Sequence, residues 1–230
     1  MHAHEYASRV QLAEALAAGV AAVLAGGIAE RGSAALVVSG GSTPAAFLAR
    51  LSQTGIAWES VTVTLVDERL VAPDHPRSNL GMVRRTLMQN RAAAATLIPL
   101  ASEEMGAPGD EAAAAERRIA GIDRFDAVIL GMGADGHTAS FFPQGDRLDE
   151  ALDLANDARV IAMAAPGAGE PRLTLALKPI LDTHFLALHI EGAEKKAVLR
   201  QALEDGPVED MPVRAVLRAA DEKLNLFWAP

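Results

Sequence analysis

The feature that most constrains this chain is an apolar run that recurs and stops each time at glycine or at charge. "AALVVSGG" (34–41), "VTVTLVDER" (61–69), "FDAVILGMG" (125–133) and "HFLALHIEG" (184–192) are continuous rather than alternating. A strand that is apolar at successive residues is buried on both faces, as in a parallel sheet covered by helices. Helical stretches fall between these runs. A long Ala-rich helix is expected over about 5–31, and "TPAAFLARL" (43–51) follows the first strand with Pro44 at its first position. "SNLGMVRRTLMQ" (78–89) offers Ser78 or Asn79 as N-cap. Further helices are expected at 110–122 and 193–203, and further strands at 95–100, 158–165, 171–177 and 224–230. No Pro-, Gly- or Ser-rich linker divides the 230 residues. The expected fold is therefore one α/β domain over 1–230, Rossmann-like, with a mostly parallel sheet and helices on both faces.

Composition excludes several functions. The formal net charge of −9 argues against a nucleic-acid or anionic-membrane surface, but not against a small anion held by a few local donors. With no cysteine there is no disulfide, thiolate metal site or cysteine nucleophile. The N-terminus carries Glu5, Arg9 and Glu14 and lacks the layout of a signal peptide. No sufficiently hydrophobic run of 18 residues is free of charge, so no membrane span is expected and a cytoplasmic location is.

Ligands of open α/β sheets bind beyond the C-terminal ends of the strands. Three such ends carry unusual chemistry: "SGGSTP" (39–44), "DERLVAPDHPRSN" (67–79) and "GMGADGHTAS" (131–140). They are expected to converge on one cleft. The G-x-G-x-x-G spacing of Gly131, Gly133 and Gly136 invites a dinucleotide reading, which needs an acid at the end of the next strand. That strand, "ARVIAMAA", ends without one, so no nicotinamide or flavin cofactor is expected. The glycines still let backbone N–H groups approach a ligand, here at an expected helix start carrying His137. Asp135 is placed to orient one ring nitrogen and leave the other to take a proton. The helix N-terminus would keep the ring neutral. "SGGSTP" presents Gly40, Gly41, Ser42 and Thr43 in a manner suited to phosphate. It is not followed by Gly-Lys-Ser/Thr, and the chain has no Gly-x-Ser-x-Gly nucleophile turn. A charged loop is ordinarily just solvated, but Asp67 and Arg69 stand at a strand's C-terminal end and so are site candidates. His75 and His137 match no metal-ligand spacing, and no metal is expected.

Taken together and in this order, these stretches resemble the 6-phosphogluconolactonase family, along with "RLTLALKPI" and "EGAEKKAVL". The resemblance covers nearly the whole chain. It implies hydrolysis of 6-phospho-D-glucono-1,5-lactone to 6-phosphogluconate without a cofactor. It implies His137 as general base, and the "GGST" loop, Arg172 and Lys195 as phosphate-holding positions; Gly-x-x-Lys spacing from Gly192 selects Lys195 over Lys196. Asp135 would hold the ring, and Arg69 or an N–H of the 131–136 turn would stabilise the oxyanion. The partner is a phosphosugar lactone, bound by a monomer or homodimer. The related glucosamine-6-phosphate deaminases carry Glu before the proline where Phe142 precedes Pro143, and Asp-Glu-Tyr where Asp67-Glu68-Arg69 stands. Both differences favour the lactonase over a deaminase. A non-catalytic sugar-phosphate sensor is the remaining alternative.

Overall fold

The computed structural model describes residues 1–230. In chain order the elements are β1 (His2–Glu5), α1 (Arg9–Arg31), β2 (Ala34–Val38), α2 (Ala45–Leu51), β3 (Val61–Leu65), β4 (Asp67–Arg69), α3 (Asn79–Thr86), β5 (Thr96–Leu97) and α4 (Pro108–Ile119). There follow β6 (Phe125–Leu130), α5 (Leu148–Leu152), β7 (Val160–Met163), β8 (Arg172–Leu175), α6 (Leu177–Leu181), β9 (Thr183–Glu191), α7 (Gly192–Leu203), α8 (Val213–Ala220) and β10 (Leu224–Ala229). Seven strands form one sheet in the order β1-β10-β9-β6-β2-β3-β5, every neighbouring pair parallel. The expected α/β class with helices on both faces holds. Its core is one contiguous cluster of 64 buried residues, so no boundary divides it.

The continuous apolar runs have the cause inferred for them. Every residue of β2 and of β6 is buried. The one charge inside β6, Asp126, is paired: its Oδ2 accepts the Ala35 N–H at 2.8 Å and its Oδ1 accepts from Arg31. It thereby ties β6 to β2 and to the end of α1.

α1 starts at Arg9, after Ser8, whose Oγ accepts the Gln11 N–H. The helix expected from about residue 5 begins four residues later, and residues 2–5 form the edge strand β1 against β10. By length and composition α1 is apolar enough to cross a membrane, with a mean hydropathy of 1.9 over an 18-residue window. The expectation of no membrane span rests on the lack of a sufficiently hydrophobic 18-residue run free of charge, and α1 meets the length and hydropathy criterion despite its charges. In the fold, α1 turns Leu12, Leu16, Val20 and Leu24 into the core and packs against α2 and the sheet.

The run 61–69 is two strands, not one. At Val66 the N–H still donates to Val38 O of β2, while its carbonyl accepts from Leu175 of β8. The chain changes partners there. Beyond it, β4 joins β8 and β7 in a separate three-stranded antiparallel sheet. That register sets Arg69 opposite Arg172 and Asp67 opposite Thr174.

Glu68 fastens this junction. Its buried carboxylate accepts N–H bonds from Arg69, Asn79 and Leu80 at 2.7–2.8 Å and a hydroxyl bond from Ser78 at 3.2 Å. Burial pushes its pKa up, against these donors, which pull it down. Ser78 is the N-cap of α3, accepting the Gly81 N–H. Glu68→Ala leaves several buried N–H groups unpaired and is expected to destabilise the fold by about 3 kcal/mol. For a chain of this size that lowers Tm by roughly 6–12 °C. A thermal melt moving by under about 2 °C contradicts the assignment.

Candidate active site

One cleft of about 340 Å³ opens at the C-terminal ends of β2, β6 and β9, where the small sheet abuts the large one. The three strand ends singled out in the sequence meet in it. Gly40, Gly41, Ser42 and Thr43 line one wall, Asp67, Arg69 and Arg172 another, and Gly131, Gly133 and His137 the turn between. Lys195 from the first turn of α7 completes the lining. Asp135 is the one sequence-expected residue outside the lining, and it acts on the cleft through His137.

No helix begins at His137. Residues 131–137 form a turn closed on itself: Gly133 N–H donates to His137 O at 2.8 Å, and Gly136 N–H to Gly133 O at 3.2 Å. The next helix, α5, starts only at Leu148. The expected influence of a helix N-terminus on the imidazole is therefore absent. Asp135 orients the ring instead. His137 Nδ1 lies 2.6 Å from Asp135 Oδ1, which also accepts the His137 N–H at 3.1 Å. A carboxylate accepts only, so Nδ1 carries the proton and Nε2 is left bare in the neutral ring. Desolvation, the largest influence on Asp135, raises its pKa. The bonds and charge of His137 outweigh it and bring Asp135 down to about 2.

The glycine spacing now has a physical reason. A Cβ on Gly133 would collide with the His137 ring and with Asp135 Oδ1, so the imidazole occupies the space of the missing side chain. The Phe142 ring packs against the imidazole at a tilt of 33°, centroids 4.4 Å apart. The same Phe142 ring lies 5.2 Å from the Arg172 guanidinium carbon. The aromatic that replaces the deaminase Glu thus stands between the expected base and a buried cation.

Asp67 is buried and fully engaged. Its Oδ2 accepts the Ser140 hydroxyl at 2.7 Å and lies 3.7 Å from Arg172 Nη1, while Asn79 Nδ2 donates to its backbone carbonyl at 2.8 Å. Arg172 is itself buried, donates to Ala168 O at 2.7 Å, and leaves Nε without a partner. Burial lowers its pKa, and Asp67 opposes that. Arg69 donates through Nη1 to Arg77 O and leaves Nε unpaired. Of the lysine doublet, Lys196 is held elsewhere: it pairs with Glu5 at 2.9 Å and lies over the Trp228 ring at 3.5 Å. Lys195 is the one that faces the cleft.

His75 is an exposed loop residue whose Nδ1 accepts the Arg77 N–H. No group of three His, Asp or Glu side chains is arranged to hold a metal ion. Sequence reading missed three contributors. Asn79 seats Asp67 and presses against Gly40, where a Cβ would overlap its amide. Ser140 holds the Asp67 carboxylate. His189 lines the cleft from β9, and its signal was available: it is the one ionisable residue between Phe185 and Ile190 in a strand otherwise apolar there.

A topological cleft with an oriented imidazole, an unpaired lysine and a Ser/Thr-bearing glycine loop defines an α/β protein built to handle a small anionic ligand. The comparisons are more specific. Residues 7–228 match the model of the family described as glucosamine-6-phosphate isomerases/6-phosphogluconolactonase, and the chain belongs to that family. A 6-phosphogluconolactonase of Rhizobium meliloti is 50% identical over 227 residues, covering 99% of this chain and 98% of the relative. The crystal structure of a 6-phosphogluconolactonase from Shewanella baltica superposes with a TM-score of 0.96 at 38% identity, covering 100% and 98% of the two chains. One from Neisseria gonorrhoeae, described as a putative 6-phosphogluconolactonase, gives 0.91 at 36% over the whole of both chains.

The Asp135–His137 pair makes a prediction that needs no substrate. In ¹³C-labelled protein the Asp135 carboxyl is expected to stay ionised from pH 6 to below pH 3.5. In His137→Ala the side-chain bond and the charge of His137 are lost while partial burial and the backbone N–H bonds remain, so the Asp135 pKa rises from about 2 toward the ordinary carboxylate range. An Asp135 that titrates alike in both proteins refutes the pairing.

Proposed function

We propose that this chain hydrolyses 6-phospho-D-glucono-1,5-lactone to 6-phosphogluconate, as a cytoplasmic enzyme needing no cofactor. The observation that carries the reading is the Asp135-held His137, 2.6 Å away, in one cleft with the Gly40–Thr43 loop and Lys195. Family membership and full-length identity to a 6-phosphogluconolactonase support it. One chain supplies every residue used, so a monomer and a homodimer serve equally.

The phosphate is held at Ser42, Thr43 and Lys195, with Arg172 behind them. This fixes the lactone carbonyl near His137. Nε2 takes a proton from a water whose oxygen attacks C1, and Asp135 steadies the imidazolium that forms. The tetrahedral oxyanion meets Arg69. The turn is a weaker donor than expected, because the N–H groups of Gly133, Gly136 and His137 are already bonded within it and that of Gly131 donates to Ser39 Oγ. Collapse breaks the bond between C1 and the ring oxygen, and His137 returns its proton to that oxygen. The carboxylic acid product then ionises to solvent. Asp67, with its oxygens engaged, positions Arg172 rather than carrying a proton.

The test is acid release from freshly generated 6-phosphogluconolactone against the spontaneous rate, with ammonia release from glucosamine 6-phosphate measured alongside. Faster opening without ammonia is expected, and His137→Ala is expected to lower kcat by about 10²–10⁴-fold with KM little changed. Ammonia release would place the chain with the deaminases. Near wild-type kcat in His137→Ala would remove the base. Neither activity in the wild type would favour a binding protein.

A further inference from the structure

His189 lies two residues before the end of β9. The register of β9 on β6 sets Leu188 beside Leu130, so His189 stands level with Gly131, at the floor of the cleft. Its side chain is 2% exposed. Neither ring nitrogen has a hydrogen-bond partner. The nearest carboxylate oxygen, Glu191 Oε1, is 3.3 Å from Nε2 but forms no hydrogen bond there. Glu191 is drawn the other way by Arg9, 3.4 Å distant. Phe47 of α2 meets the imidazole edge-on, centroids 6.2 Å apart at 85°.

A buried polar group without a partner is destabilising, and such groups are rare in folded proteins. Packing alone does not account for an imidazole here, because Ala187, its buried neighbour on the same face of β9, fills its place without a polar side-chain atom. His189 lines the cleft together with the Gly40–Thr43 loop and Lys195. Ser42 and Thr43 supply hydroxyls and Lys195 a flexible point charge. A ring wedged by Phe47 supplies a donor of fixed direction, which a long lysine does not.

We propose that His189 is a specificity-determining residue that donates a ring N–H to the substrate's phosphate group, forming a third arm of the cradle beside Lys195 and the Ser42–Thr43 loop. This rests on the reading of the cleft as the site for a phosphorylated lactone. The contact is made to a group distant from C1 and is equally present before and during the reaction. It therefore acts on KM and leaves kcat alone.

The experiment compares wild type with His189→Leu and His189→Gln. It measures kcat and KM for 6-phosphogluconolactone, Ki for inorganic phosphate as a competitive inhibitor, and Tm. In His189→Leu, KM and the phosphate Ki are expected to rise together by about 10–100-fold, the effect of one hydrogen bond to a charged group. kcat is expected to stay within about threefold and Tm to hold or rise, since an unpaired polar group is removed. His189→Gln, which keeps a donor, is expected to recover part of the loss. If the leucine variant does not fold, the glutamine variant carries the test by the same two constants. Unchanged KM and Ki in the folded variants overturn the assignment, and so does a fall in kcat without a rise in Ki. Failure of wild type to open the phospholactone overturns the proposed function instead, while phosphate perturbing the His189 ring signals in NMR still reports on His189.

Discussion

The site depends on one buried carboxylate that touches no ligand. Glu68 gathers donors from β4 and from the start of α3. It thereby fixes Asn79, whose amide holds Asp67 and packs under Gly40. Asp67 in turn faces Arg172 and Ser140. The phosphate-side loop, the cationic wall and the stretch after the imidazole turn are thus in contact through a chain of side chains that starts at Glu68. Charge-assisted bonds suit this task because they are short and directional, and their loss leaves several donors unpaired at once. The site sits where the chain passes from a parallel sheet to an antiparallel one, and Val66 is the residue bonded to both.

The glycine-rich turn shows how a motif shared with nucleotide-binding proteins serves different chemistry. In a dinucleotide site the missing side chains admit a pyrophosphate at a helix N-terminus. Here the turn closes on itself, α5 is far downstream, and the space at Gly133 admits a histidine from the same turn. Phe142 packs against the ring at a tilt. The imidazole is held by Asp135, the glycine backbone and an aromatic, which leaves Nε2 as the ring nitrogen without a partner. A lactone already reactive toward water needs little beyond a positioned base and a cation for the oxyanion, so the absence of a nucleophilic serine or cysteine is no obstacle.

Much of this was legible in the sequence, because the signals were strong and local. Doubly buried strands read as continuous apolar runs, and the chemistry clustered where such runs ended. What escaped reading was set by pairing partners. The run 61–69 is uniformly β-forming, and nothing in "TLVDER" marks the change of sheet at Val66. Residues 2–5 are polar and poorly patterned, and they are a strand only because β10 offers an edge. "ADGHTASFFP" looks like a helix start, yet Ala139 takes a positive φ of 52° and Thr138 bridges Phe141, so the chain turns instead. Among the site residues, Lys195 was separable from Lys196 by spacing, and the reason lies in Glu5 and Trp228. Asn79 and Ser140 look like a helix cap and a loop serine until Asp67 is placed between them.

The central claim is that Asp135 holds His137 in the tautomer that bares Nε2 toward the cleft. ¹⁵N NMR of histidine-labelled protein, with the His137 signals assigned by their loss in His137→Ala, reads this directly once the ring is neutral. The account predicts a protonated Nδ1 and an unprotonated Nε2 for His137. A neutral ring protonated at Nε2 would contradict it, because that imidazole could not accept a proton from the attacking water.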